Sequence, residues 1–254
     1  MIHLKTARQV RLMERAGRIV AEALLEVRGM IALSVTTAAL NARVDEVIRK
    51  NGGVPLFLGY RGFPASACIS VNEEVVHGIP GPRELVRGDL VSVDVGVRRK
   101  GWCADAAWTF PVGEVSERDR ALLAVGREAL SDAIAKARAG LALAELCGAI
   151  QSRAERNGFS VVRKYTGHGI GREMHEEPQV PNFVDGGILR AGTKLEVGMV
   201  LAIEPMVNAG GGDVETLSDG WTVVTRDRLT SVHFEHTVAV TEDGARVLTD
   251  FGEG

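Results

Sequence analysis

The sequence predicts an α/β fold built from two related halves. A helix–helix–strands pattern runs from residue 6 to 111 and begins again at Ser116. Two short motifs recur with it: Ala16-Gly17-Arg18 returns as Val125-Gly126-Arg127, and Arg49-Lys50-Asn51-Gly52 as Glu155-Arg156-Asn157-Gly158. The offsets, 109 and 106 residues, are nearly constant, as an internal duplication requires. The composition agrees. With 254 residues, 45% hydrophobic and 25% charged, the chain suits one large domain or two small ones and is neither disordered nor fibrous. The expectation is a single domain, 1–254, of two halves at roughly 1–115 and 116–254.

Each element has a local cause. Over 6–28, Val10, Met13, Gly17, Val20 and Leu24 recur at three- and four-residue steps with arginines between them, the pattern of an amphipathic helix. Thr36 or Thr37 caps a second helix, roughly 37–51, which Asn51-Gly52-Gly53 ends. From Val54 to Pro111 the texture changes to short β-like runs cut by Gly and Pro. Ser116, with Glu117 and Asp119 in the first turn, opens a helix to about Ala137. A fourth, roughly 142–157, stops at Asn157-Gly158.

Several function classes drop out. A balance of 30 basic against 33 acidic residues, net −3, argues against nucleic acid or an anionic membrane as main partner. No apolar run approaches the ~18 residues of a membrane span, and the N-terminus lacks the apolar core of a secretory signal. Three cysteines at scattered positions suit a reducing compartment, so the expected location is the cytoplasm.

The chemistry concentrates in four places. In Leu90–Val97 the valines at 91, 93, 95 and 97 share one strand face, and Asp94 lies on the other with Ser92 and Gly96. Arg98-Arg99-Lys100-Gly101 reads as a turn, from which Trp102–Phe110 returns. A two-residue loop pairing Arg98 with Gly101 sets Asp94 opposite Asp105, with Cβ atoms ~5 Å apart, and a three-residue loop with a Gly101 bulge shifts this by about one position without separating them. Like charges that close oppose folding unless a cation lies between them; the alternative is two solvated carboxylates on an exposed face. Second, Gly167-His168-Gly169-Ile170-Gly171 and Met174-His175-Glu176-Glu177-Pro178 place two histidines in a glycine-rich loop. A phosphate cradle is disfavoured there because no helix start follows. Third and fourth, Glu204 and Glu235 lie in the apolar strands 200–207 and 232–240, and buried glutamate is rare unless paired or metal-bound. Four carboxylates and one imidazole, without thiolate, favour a pair of divalent ions, Mn²⁺, Fe²⁺ or Co²⁺ over a structural zinc.

Asp94, Asp105, His168, Glu204 and Glu235, in this order, resemble the metal-ligand set of the methionine aminopeptidases and their pita-bread-fold relatives. The resemblance runs from Ile2-His3-Leu4-Lys5-Thr6 to Thr241. It includes Cys68-Ile69-Ser70-Val71-Asn72, Val76-His77-Gly78-Ile79-Pro80, Ile203-Glu204-Pro205-Met206 and Phe234-Glu235-His236-Thr237. It implies a pita-bread fold, with a mainly antiparallel curved sheet covered by helices and the site at the seam between the halves. It also implies a dinuclear hydrolase that removes the initiator methionine using Co²⁺, Mn²⁺, Fe²⁺ or Zn²⁺, with Fe²⁺ or Mn²⁺ expected in the cell. By the family pattern Asp94 holds one ion, His168 and Glu204 the other, and Asp105 and Glu235 bridge. A water between the ions would attack the carbonyl, with Glu204 as general base. His77 would contact the peptide, and His175 would stabilise the developing oxyanion.

The methionine pocket implied by family position comprises Tyr60, Phe63, Cys68, Met174 and Trp221, with Phe57 close by. Met174 stands where the family often has an aromatic, and His233 where it usually has glutamine. His236 is expected to be structural and His3 a surface residue. Prolidases and aminopeptidase P share the ligands but carry a large N-terminal domain, for which a helix starting at residue 6 leaves no room. Type 2 methionine aminopeptidases carry an insertion that the 36-residue spacing from His168 to Glu204 does not hold, so the resemblance is to type 1. The remaining alternatives are a related aminopeptidase or dipeptidase and a catalytically silent binding protein of this fold. Expected partners are N-terminal methionine peptides and nascent chains, with the ribosome a further candidate; no sequence-specific nucleic acid and no membrane are expected, and the chain is expected to be monomeric. Because β-branched Ile2 is a poor second residue, Met1 should be retained on the mature chain, which intact-mass spectrometry checks.

Overall fold

The computed structural model describes residues 1–184 and 192–252. Helix α1 (Ala7–Met30) starts at a capping box. The Thr6 hydroxyl accepts the Gln9 N–H at 3.3 Å and the Gln9 side chain accepts the Thr6 N–H at 2.8 Å. Its expected apolar stripe, Val10, Met13, Gly17, Val20 and Leu24, is buried. Helix α2 (Thr37–Lys50) is capped by Thr36 and closes on Asn51, with Gly52 left-handed at φ 69°. Strands β1 (Val54–Pro55), β2 (Ala67–Val71), β3 (Glu74–Val76), β4 (Leu90–Arg99) and β5 (Trp102–Pro111) complete the first half.

The second half repeats the order. Helix α3 (Glu117–Ala135) is capped by the Ser116 hydroxyl on the Asp119 N–H, and in α4 (Leu143–Arg156) Glu145 reaches back to the Ala142 N–H. Then come β6 (Ser160–Val161), β7 (Gly167–Gly169), β8 (Glu176–Val180), β9 (Val200–Ile203) and β10 (Met206–Asn208). Last are β11 (Val214–Thr216), β12 (Val223–Thr225), β13 (Ser231–His233), β14 (His236–Thr241) and β15 (Gly244–Val247). The helices pack pairwise, α1 on α2 and α3 on α4, and α1 lies over β4 and β5. The repeated glycines are points of closest approach: a Cβ at Gly17 would meet the Leu248 carbonyl, and one at Gly126 would sit 2.7 Å from the Phe234 ring. No helix among the described residues is long and apolar enough to cross a membrane.

Every strand pairing among the described residues is antiparallel. β4 pairs with β1, β2 and β5, while β15-β14-β9-β7-β8 form the largest sheet. The order β11-β12-β3 joins the halves directly. A second junction lies beside β5, where Asp105–Thr109 runs alongside His233–Thr237. The Ala107 carbonyl accepts the Glu235 N–H at 2.8 Å. On either side of that bond a buried threonine hydroxyl takes the place of the backbone ladder. Thr237 Oγ1 accepts the Asp105 N–H and donates to the Asp105 carbonyl; Thr109 Oγ1 does the same for His233.

The structure corrects the hairpin. Arg99 pairs with Trp102, so the turn is Lys100-Gly101 and not Arg99-Lys100. Both turn residues have positive φ, 49° and 74°, the conformation a two-residue hairpin needs and glycine supplies at least cost. Asp94 therefore lies opposite Ala107, and Asp105 opposite Gly96. The two aspartates are diagonal neighbours on one face, not directly opposed. The glutamates are corrected too. Glu204 and Glu235 lie in the breaks between β9 and β10 and between β13 and β14, outside the strands themselves. Pro205 has no N–H for a ladder, and the Glu235 N–H is spent across the seam.

Candidate active site and metal centre

The registers place the predicted ligands in two neighbouring rows across the sheets. Cys68, Asp94, Ala107 and Glu235 follow one another from β2 to the β13–β14 break. The next row runs Gly96, Asp105, Thr237, Ala202 and His168. Extending the pairing of Ile203 with His236 by one residue brings Glu204 beside Glu235. Rows two residues apart share a sheet face, so all five side chains emerge on the same side. The positions between them are small (Gly96, Ala107, Ala202, Thr237), which leaves room above the sheet.

All five line one cavity of about 750 Å³, together with His77, His175 and His233. Ligand atoms of Asp105, His168 and Glu235 lie within 4.8 Å of one another. His168 Nε2 is 3.7 Å from Asp105 Oδ2 and 3.5 Å from Glu204 Oε1. His168 Nδ1 lies 3.0 Å from the Gly169 carbonyl, which can only accept, so the proton sits on Nδ1 and Nε2 presents a lone pair. Burial pushes the His168 pKa down to about 4, which keeps the ring neutral. A lone pair facing two carboxylate oxygens is repulsive unless a cation lies among them.

The electrostatics of the acids agree. Burial and Asp105 push the Asp94 carboxyl well above its ordinary range; burial raises Asp105 to about 6. Glu204 and Glu235 are raised by burial and then by the neighbouring carboxylates. Asp94 Oδ1 is buried with no hydrogen-bond partner. Two buried and two half-buried carboxyls, with no lysine or arginine paired to them among the described residues, form an oxygen-rich set with one imidazole, which fits divalent ions.

The other predicted residues surround this centre. Phe57, Phe63, Cys68 and Met174 form an apolar cluster, with Tyr60, Ile79 and Trp221 packed against it. Trp221 meets Phe63 edge-on at 5.1 Å. His77 is held at φ 61°, unusual for a residue with a Cβ, and its ring stacks edge-on against Tyr165. His175 Nδ1 is 3.0 Å from the Tyr60 hydroxyl, and its ring meets His168 at 4.4 Å. Burial lowers His77 to about 4, and His175, more exposed at the cavity mouth, is also lowered, by partial desolvation and by His168. His236 is buried against the Thr249 hydroxyl, away from the cavity, and His3 is exposed.

Tyr165 and Thr237 join the site beyond the sequence reading, and the structure gives His233 its setting. Tyr165, beside His77, sits in an unpatterned stretch without a sequence signal. Thr237 supports Asp105, and its position two residues after Glu235, on the same face, was a usable cue. His233 was noted as unusual, but not its setting: it is buried, its Nε2 has no hydrogen-bond partner, and it lies 3.8 Å from Glu204 Oε2. Glu204 is thus bracketed by two imidazoles, one towards each oxygen.

Comparison with known proteins gives this arrangement a context. Residues 11–242 match the pattern of metallopeptidase family M24. Methionine aminopeptidase 1 of Bacillus subtilis is 48% identical over 249 residues, 98% of this chain and 99% of that protein. The methionine aminopeptidase of Clostridium perfringens is equally similar, with the same coverage. The crystal structure of methionine aminopeptidase from Thermotoga maritima superposes with a TM-score of 0.95 at 45% identity, covering 98% of this chain and all of that one. The prolidase of Pyrococcus furiosus shares the fold at a TM-score of 0.77 and 24% identity, but this chain spans only 65% of its length. The architecture is the pita-bread fold, and a metallopeptidase of this kind works with divalent metal ions. By full-length likeness and by the family pattern, the chain belongs to metallopeptidase family M24, among its methionine aminopeptidases.

Proposed function

We propose that this chain releases the N-terminal methionine of peptides and nascent proteins, preferring small second residues, with two divalent ions held by Asp94, Asp105, His168, Glu204 and Glu235. The observation that supports it most is the meeting, in one cavity, of a cation-requiring acid cluster with a sulfur- and aromatic-lined pocket. A flexible thioether pocket wall such as Met174 suits an unbranched thioether substrate. Divalent ions at such a site supply Lewis acidity towards a peptide carbonyl and lower the proton affinity of water.

The protein's own groups supply the rest. The cluster of Phe57, Phe63, Cys68 and Met174, with Tyr60 and Trp221, takes the methionine side chain and fixes the scissile carbonyl beside the acids. His77 holds the peptide near that bond. With the Tyr60 hydroxyl donating to Nδ1, neutral His175 keeps its proton on Nε2 and gives it as a hydrogen bond to the carbonyl oxygen as charge develops there. Glu204 takes the proton of the attacking water and passes it to the leaving amine.

The organisation is part of the same reading: one domain of two duplicated halves, each contributing part of the site. The five proposed ligands, His77 and His175 line one cavity that is complete without a partner's residue, and we read the chain as acting as a monomer. Three free cysteines support a cytoplasmic setting, and the ribosome, as the source of nascent chains, is the natural place of work. The test is to strip the protein with chelator, restore Mn²⁺, Fe²⁺ or Co²⁺, and follow Met-Ala-Ser. Metal-dependent release of free methionine is expected, and its absence with every ion sinks the proposal.

A further inference from the structure

The N-terminal segment reaches the active site. Lys5 precedes α1, yet its ammonium lies 2.7 Å from Glu176 Oε2, with the two side chains 5% and 10% exposed. The segment is fastened by its backbone: the Lys5 N–H donates to the Gly198 carbonyl at 2.7 Å. At Gly198 itself, φ is 95° and a Cβ would lie 2.6 Å from the Lys5 carbonyl oxygen. The other Glu176 oxygen accepts the backbone N–H groups of Arg172 and Glu173, at 2.8 and 3.2 Å. One carboxylate therefore gathers the loop 172–176 around itself. Gly171 makes room for the arrangement, since a Cβ there would sit 2.6 Å from both Glu176 Oε1 and Lys5 Cε.

Met174 and His175 are carried by this loop, between the amides that Glu176 holds and Glu176 itself. The loop is also tied to the β4–β5 hairpin, by Arg172 on the Gly101 carbonyl at 3.1 Å and Glu173 on Arg98 at 3.2 Å, and it meets the far side of the cavity through the Tyr60 hydroxyl at His175 Nδ1. Burial by itself would push the Glu176 carboxyl up. Lys5 and the two amides outweigh it and hold the group below its ordinary range, so it stays ionised. Without Lys5 the carboxylate is a buried charge short of one partner, and it must take a proton or turn towards water. Turning towards water releases the two amides and with them the placement of His175.

From this we infer that Lys5 is a positioning residue for His175, acting through Glu176. The inference rests on the role given to His175 above. None of the proposed metal ligands is carried on this loop, but His168 touches the His175 ring at 4.4 Å, so kcat is read per metal-loaded protein. A small displacement of a catalytic group lowers the chemical step by up to ~10²-fold while leaving substrate binding nearly intact.

The test uses the full chain. In Lys5→Met, kcat for Met-Ala-Ser with Mn²⁺ should fall ~10–100-fold with KM changed less than about threefold. Hydrogen exchange of the metal-free protein should show the Arg172 and Glu173 amides losing protection while Mn²⁺ uptake is unchanged. The double variant Lys5→Met/Glu176→Gln, in which a neutral amide oxygen accepts the same two N–H groups without needing a cation, should recover most of kcat. A merely structural Lys5 would lower thermal stability and leave kcat per metal-loaded protein unchanged, and that result overturns the inference. So does a loss of kcat with the two amides still protected, or a double variant no better than the single one. If Lys5→Met does not fold, the double variant and Lys5→Arg carry the same readouts. If wild-type protein releases no methionine with any metal, the underlying reading fails instead, and exchange at residues 172 and 173 still reports whether Lys5 holds the loop.

Discussion

The two halves bring their acids to the same site by opposite means. In the first half, Asp94 and Asp105 sit inside ten-residue strands whose pairing is unbroken from Leu90 opposite Pro111 to Arg99 opposite Trp102. In the second half, Glu204 and Glu235 sit where strands stop and leave for another sheet. The shorter acid is placed by a regular ladder, and the longer one reaches in from a gap. A ladder fixes a side chain through its neighbours' hydrogen bonds. A gap fixes it through particular contacts, here the Glu235 N–H on the Ala107 carbonyl and the imidazoles on either side of Glu204. The regular half therefore acts as the frame, and the irregular half is fitted to it.

The comparison can be broken at its strongest point by removing one acid from each half. Asp105→Asn and Glu204→Gln should each lower kcat for methionine release by ~10²–10⁴-fold while circular dichroism stays native. A variant of either half that keeps more than about a tenth of wild-type activity would show that its half is not needed.

Metal removal asks whether the acids of both halves act as one unit. In the metal-free protein the carboxyls are raised, Asp105 to about 6, so the folded state holds protons there that the unfolded chain has already lost. Their contribution to stability is present at acid pH and is lost as pH rises through the folded values. Ions bind only the deprotonated set and displace those protons, so the increase in Tm on adding Mn²⁺ should be larger at pH 7 than at pH 5. Scanning calorimetry at the two pH values checks it; an equal increase at both would mean that the acids are not titrating together.

The seam gives the smallest effect and the sharpest one. Thr237→Val keeps the shape but leaves the Asp105 N–H unsatisfied, at a cost of ~1–3 kcal/mol in urea denaturation. Thr109→Val should cost a similar amount at His233, because its hydroxyl makes the mirrored pair of bonds. A clear inequality would show that one half dominates the junction.

The same contrast explains what could be read from the sequence. Helix limits were visible within two residues, because Thr6, Thr36 and Ser116 are caps with local causes. The five proposed ligands and His175 stand out in the sequence as residues out of place among apolar neighbours or glycines, whereas His77 is marked only by the family resemblance. The aspartate register was not, because four polar residues, Arg98 to Gly101, offer several two-residue turns and only the left-handed pair Lys100-Gly101 fits the twist. The breaks at Glu204 and Glu235 were hidden because the apolar run continues through them, although Pro205 was a sign. Contacts such as Lys5 with Glu176 or Thr109 with His233 join residues more than a hundred positions apart, and no local pattern announces them.

The threonine-stitched seam also bears on when activity first appears during folding. Asp105 and Thr237 are 132 residues apart, and contacts of such long range form late because the chain must first close a large loop. The proposed ligands are divided two and three between the halves, so neither half alone assembles the set. A chain still emerging or partly folded would therefore be inert towards its neighbours' termini, and the capacity to cleave would arrive only with the last long-range pairing.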